Sequence, residues 1–110
     1  MIKSLYIKDF AIINEISIDL RPGLTVITGE TGSGKSILLK ALSSSLGAKI
    51  NKQMVRSSAE RAVVVSKFSD FEVRRIISKK GRSQYYHNDA PIALSKLNSQ
   101  IGSLIDFHGQ

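Results

Sequence analysis

The sequence has 110 residues, a formal net charge of +7, 42% hydrophobic and 23% charged residues, enough for one small domain or part of a larger one, of ordinary globular composition. It has no cysteine, which excludes disulfides, thiolate metal sites and a cysteine nucleophile. His87 and His108, its only histidines, are too few and too far apart for a metal site. No apolar run approaches the roughly 18 residues of a membrane span, and MIKSLYIKDF lacks the long apolar stretch of a signal peptide, so a soluble intracellular protein with no membrane partner is expected.

In chain order, Ile2–Ile7 reads as a first strand with Leu5 and Ile7 on one face, and Asp9–Ala11 as a bend. Ile12–Leu20 alternates, with Ile16, Ile18 and Leu20 inward and Glu15, Ser17 and Asp19 outward, the pattern of a strand with one wet face. Arg21-Pro22-Gly23 is a turn. Leu24–Thr28 (LTVIT) is a short β-branched run, expected as a buried strand. A glycine-rich loop, Gly29–Ser36, follows. Ile37–Leu46 then carries apolar residues at helical spacing, with Gly47 placed to end the helix. Lys49–Glu60 is polar and loop-like. Arg61–Phe68 reads as a strand and Ser69–Phe71 as a short break. Glu72–Ile77 and Ser83–His87 flank a hairpin turn, Lys79-Lys80-Gly81-Arg82. Asn88-Asp89 is another turn before Pro91. Leu94–Ile101 is helical, with Leu94, Leu97 and Ile101 on one face, and Leu104–Phe107 is a last strand-like run.

The loop carries the chemistry. GETGSGKS matches G-x-x-x-x-G-K-[ST] at Gly29, Gly34, Lys35 and Ser36, and the strand before it and helix after it supply the context of a Walker A loop. Glycines let successive N–H groups curl towards phosphate oxygens, and the helix start adds the positive end of its dipole. Lys35 is expected to reach the β- and γ-phosphates as a point charge, and the Ser36 hydroxyl to ligate Mg²⁺. The nucleotide-binding set is therefore Gly29, Glu30, Thr31, Gly32, Ser33, Gly34, Lys35, Ser36 and Ile37. By itself the motif does not choose among ATPases, GTPases and small-molecule kinases.

The net charge favours an anionic partner. Nucleotide phosphates account for part of it, and either nucleic acid or a basic background for the rest. Arg74, Arg75, Lys79, Lys80 and Arg82 form the candidate nucleic-acid patch, with Tyr85 and Tyr86 nearby. No run of four apolar residues followed by Asp-Glu occurs in these residues, although a P-loop NTPase needs such carboxylates to hold Mg²⁺ and position its nucleophile.

With these stretches in hand, the chain resembles the N-terminal part of the RecN family of bacterial DNA repair ATPases. That family belongs with the SMC-like proteins, whose ABC-type heads are joined to coiled coils. The resemblance rests on Leu5–Ala11 (LYIKDFA), Pro22–Lys40 (PGLTVITGETGSGKSILLK), Val55–Ala62 (VRSSAERA), Val73–Ser83 (VRRIISKKGRS) and Leu104–Gln110 (LIDFHGQ). It implies an α/β P-loop NTPase fold, the N-terminal lobe of an ABC/SMC-type head with a mixed sheet and a P-loop helix, over residues 1–110. It also implies ATP and Mg²⁺ as cofactors, DNA and a second head or the remaining lobe as partners, a nucleoid-associated cytoplasmic location, and a role in recombinational repair of double-strand breaks. Gln110 falls at the family's Q-loop glutamine, which contacts Mg²⁺ and senses the γ-phosphate. Arg56 lies where SMC-like heads place an arginine that reaches towards nucleotide or DNA. The coiled coil, signature loop, Walker B strand and catalytic glutamate of the family are absent, and the Phe68–Glu72 connection is shorter than usual. The resemblance therefore implies a lobe truncated after the Q-loop that binds ATP with little hydrolysis.

Two other readings stand beside it. Asp106–Gln110 matches D-x-x-G-Q of a small GTPase-like switch, but for the guanine-reading N-K-x-D motif Asn51-Lys52 comes closest, with Met54 where Asp is needed and the order along the chain wrong. The alternative is a non-catalytic module that uses its basic surface on nucleic acid.

Overall fold

The computed structural model describes residues 2–19, 32–49 and 52–101. The expected strands Leu24–Thr28 and Leu104–Phe107 lie outside the described residues. The element order is β1 (Ile2–Phe10), β2 (Ile13–Asp19), α1 (Gly32–Ser45), β3 (Arg61–Phe68), β4 (Glu72–Ser78), β5 (Ser83–His87), β6 (Ala90–Ile92) and α2 (Leu94–Ile101), with a 3₁₀ turn at Lys52–Met54. The strands form one sheet in the order β2-β1-β3-β4-β5-β6, and every described pairing is antiparallel.

Period-2 sequence builds this sheet. In β3, Ala62, Val64 and Ser66 are buried and alternate with half-buried Val63 and Val65. In β4, Val73, Arg75 and Ile77 are buried and Arg74 and Ile76 are half-buried. The registers line these residues into cross-strand rows. Ile16, Ile7, Val64, Arg75, Tyr85 and Ile92 make one row on the helix side. Tyr6, Val65, Arg74 and Tyr86 make one on the opposite face.

Helix α1 packs over β1, β3 and β4. Its Ala41 is fully buried in a core with Leu5, Ile7, Phe10, Val55, Ala62, Val64 and Ile77, and Ile37 and Leu42 pack against that core. A second, smaller core joins α2 to the far end of the sheet through Leu97, Val73 and Tyr85.

Several boundaries differ from the sequence reading. Strand β1 runs on to Phe10, where a bend was expected. Asp9 and Ala11 take positive φ (53° and 56°) on either side of the buried Phe10, and so turn the chain without ending the strand at Ile7. Ile16 was expected inward. It sits on the helix side of the sheet but stays 36% exposed, because β2 is an edge strand among the described residues and α1 packs mainly over β3, β4 and β1. Helix α1 starts at Gly32, not Ile37. Strand β6 was not expected at all.

Candidate nucleotide-binding site

The second half of the glycine-rich motif is the first turn of α1. Gly32, Ser33, Gly34, Lys35 and Ser36 are its first five residues, while Gly29, Glu30 and Thr31 lie outside the described residues. A helix start offers four N–H groups with no partner in the helix. No acidic residue stands in the first turn of α1, so its positive end has no side-chain carboxylate of its own. Glycines at 32 and 34 keep Cβ atoms away from the approach of a phosphate. The donor set fits a nucleotide phosphate with Mg²⁺: main-chain amides, the ammonium of Lys35 and the hydroxyl of Ser36. The Ile37 side chain packs on the core, which leaves only its main chain for a ligand.

The other end of the same helix is capped and hydrogen-bonded to β3. The N–H of Gly47, at φ +106°, donates to Ser44 O (3.1 Å), and the N–H of Ala48 donates to Ser43 O (3.1 Å), which is a Schellman ending. Ser45 and Ser66 share a hydroxyl–hydroxyl hydrogen bond between α1 and β3. Ser44 and Ser45 also donate to Ala41 O and Leu42 O.

Arg56 is brought beside Asp9. Its N–H donates to Asp9 O (2.9 Å) and that of Ala11 to Met54 O (2.6 Å), so the 54–56 segment is docked on the turned end of β1, with Val55 bridged to Phe10. The Arg56 guanidinium donates to Ser58 Oγ (3.1 Å) and lies 3.9 Å from the Asp9 carboxylate. Gln110 and Asp106 lie outside the described residues.

The basic patch needs correction. Arg75 is only 5% exposed and points at α1, so it cannot meet nucleic acid. Arg74 is ion-paired with Asp89 (3.0 Å) and lies over the Tyr86 ring (4.6 Å). The exposed cations are Lys79, Lys80 and Arg82 at the β4–β5 turn, joined by Arg61 of β3. With Gln84 and Tyr86 they line an open groove of about 680 Å³, where Glu60 is the acidic residue. Sequence reasoning missed Arg61, which only the β3–β4 register brings opposite Ser78.

Two tyrosines are held neutral above their ordinary value. The bond that Tyr6 donates to Glu15 (2.8 Å) does so for Tyr6, and burial does so for Tyr85, against the opposing pull of Arg75. Among the described residues no three metal-binding side chains cluster, and no helix is long and apolar enough to cross a membrane.

Comparison with known proteins agrees with this geometry. Residues 4–110 match the AAA domain family. All 110 residues align with DNA repair protein RecN of Vibrio cholerae at 37% identity, and with that of Xylella fastidiosa at 34%. The chain spans about a quarter of these relatives, 24% and 23% of their length. Each alignment runs over 130 residues, so the relatives carry residues with no counterpart here. A chain solved in work on ATP-driven dimerization and DNA-stimulated activation of SMC ATPases superposes with a TM-score of 0.83 at 24% identity, covering 96% of this chain and 81% of that one. The fold is that of a P-loop SMC-type ATPase head.

Proposed function

Since the chain belongs to the AAA domain family, we propose that it is the ATP-binding part of a RecN-like protein acting in recombinational repair of DNA double-strand breaks. The observation that carries this reading is the placement of Gly32–Ser36 in the first turn of a helix whose preceding residues complete a Walker A motif. RecN relatives at 33–37% identity over the whole chain supply the biological context. Gly29–Ser36 with the Ile37 main chain would hold ATP, Ser36 and Gln110 the Mg²⁺, and Arg56 would reach towards nucleotide or DNA. Mg²⁺ supplies charge neutralisation at the β- and γ-phosphates when bound. DNA, a second ATPase head or the remaining lobe of the same protein are the expected partners, in the bacterial cytoplasm.

Calorimetric titration tests the reading. Lys35→Ala should weaken ATP–Mg²⁺ binding by about 1.5–3 kcal/mol, the worth of a charge-assisted hydrogen bond. Ser36→Ala should mainly reduce the Mg²⁺ dependence. Equal affinity in the wild type and Lys35→Ala refutes it.

A further inference from the structure

Arg75 is a buried cation that nucleotide contact does not explain. It is 5% exposed, and arginine is almost never fully buried unless paired. Among the described residues its partners are not carboxylates. Its Nη1 donates to Ser44 O (2.8 Å) and Ala48 O (2.6 Å), its Nε donates to Ser83 Oγ (3.1 Å), and its guanidinium lies 4.9 Å from the centre of the Tyr85 ring. Ser44 and Ala48 belong to the C-terminal end of α1 and its exit. That end carries the negative pole of the helix dipole, and α1 has no basic residue in its own last turn. Arg75 supplies that cation from the middle of the sheet.

The consequence lies at the opposite end of the helix. Fourteen residues span about 21 Å, and the ladder of backbone hydrogen bonds makes such a rod stiff along its axis. The side contacts of α1 with the core, from Ala41, Ile37 and Leu42, are apolar and non-directional, so they resist separation more than sliding. Among the described residues, the directional restraints between α1 with its exit and the sheet are the Arg75 bonds and the Ser45–Ser66 hydroxyl pair.

We propose that Arg75 is a positioning residue for the phosphate-binding turn: by pinning the C-terminal end of α1 to β4 it sets the axial position of Gly32–Ser36 at the other end. The proposal rests on the nucleotide-binding reading. Amide-to-phosphate bonds work only between about 2.7 and 3.2 Å, so a helix that slips by a fraction of its rise loses them, and a misplacement of about 1 Å can cost on the order of 100-fold.

The test titrates ATP–Mg²⁺ into the 110-residue wild type, Lys35→Ala, Arg75→Lys, Arg75→Met and Ser83→Ala, and records the Gly34 and Lys35 amide NMR signals of each without nucleotide. Arg75→Met should weaken binding by roughly 10-fold or more, on the scale set by misplaced groups. Arg75→Lys, which keeps a donor nitrogen but not the fork, should rescue part of this. Ser83→Ala keeps Arg75 and its charge, so it reports even if Arg75→Met does not fold, and it should weaken binding by about two- to threefold, the indirect effect of removing one of the three guanidinium hydrogen bonds. The Gly34 and Lys35 amide signals should move in all three. Unmoved amide signals and wild-type affinity in Arg75→Met, or in Ser83→Ala where Arg75→Met does not fold, with Lys35→Ala still defective, overturn the proposal and leave Arg75 a stability residue. A wild type whose binding is absent or indifferent to Lys35→Ala overturns the nucleotide reading itself, and the proposal with it.

Discussion

Replacing Gly47 with alanine probes how α1 ends. Gly47 sits at φ +106°, where an L-residue costs about 1–2 kcal/mol, and this φ lies beyond the usual left-handed well near +57°, which favours the upper figure. A Cβ at this position would lie 2.9 Å from Leu94 Cδ1 and 3.3 Å from Asn98 Oδ1. The first contact is with the far end of a flexible side chain, so Leu94 can swing aside for about 0.5–1.5 kcal/mol of rotamer strain. Alanine also restricts the unfolded chain, which returns about 0.4–1 kcal/mol. The balance is a destabilisation of about 2 kcal/mol, or roughly 8–16 °C in Tm at 4–8 °C per kcal/mol for a domain near this size. Urea and thermal unfolding monitored by circular dichroism measure it. In a Gly47→Ala/Leu94→Ala double variant the clash share should disappear, leaving a favourable coupling of about 1 kcal/mol. A loss below about 0.5 kcal/mol, within the range of a neutral surface change, refutes the reasoning.

Three further outcomes are expected. Weak, sequence-independent DNA binding should run through Arg61, Lys79, Lys80 and Arg82. Replacing the last three with alanine should flatten the log–log salt slope by about 3 in fluorescence anisotropy if each meets one phosphate, and an unchanged slope counts against the groove. Tyr85 is held neutral by burial, so its contribution to stability is complete below its ordinary value near 10 and is lost as pH rises through the raised value of the folded state. Tyr85→Phe should therefore lose less stability above about pH 10 than wild type in pH-stepped denaturation, and an identical alkaline limb sinks this account. The 110-residue polypeptide should turn over ATP hardly at all, since no Asp-Glu pair follows an apolar run in its sequence and general-base catalysis alone is worth about 10²–10⁴-fold. Steady phosphate release that vanishes in Lys35→Ala would contradict this and direct attention to Asp106.

Much of the fold could be read from local pattern because the pattern is strict where two faces differ. Strands β3 and β5 and helix α2 run over the residues the alternation and spacing predict. The places where reading failed have separate causes. Strand β6 is three residues containing Pro91, too short for any period, and proline is tolerated there because it is an edge. The start of α1 was read five residues late because Gly32 and Gly34 look like loop, yet in a first turn glycine's weak helix preference is outweighed by the need for exposed amides. Ile16 alternates correctly but remains exposed, since sequence shows a face and not how far the covering helix extends. Within the candidate site, the motif was legible as a string. Its anchoring was not, because Arg75 was counted by charge. Reading Val73 and Ile77 as inward would have put Arg75 inward with them, a signal present in VRRII.

Neighbouring Arg74 and Arg75 show why net charge alone misleads here. They differ only in which side of β4 they leave, and the strand period sends one to solvent and one to the helix. Arg74 meets Asp89 and Tyr86 on the open face, a geometry worth little because Asp89 is 76% exposed. Arg75 meets carbonyls in a buried site, where each hydrogen bond is stronger but desolvation is also greater. Burial lowers the affinity of Arg75 for its proton, yet arginine remains charged because its ordinary value lies so high. A lysine buried there would shed its proton far more readily and present a single donor head. A planar, permanently charged fork is therefore the side chain that can bridge Ser44 O, Ala48 O and Ser83 Oγ at once. The formal charge of +7 thus includes at least one cation that serves the interior of the domain, and the attraction for any anionic partner must be reckoned from the exposed cations.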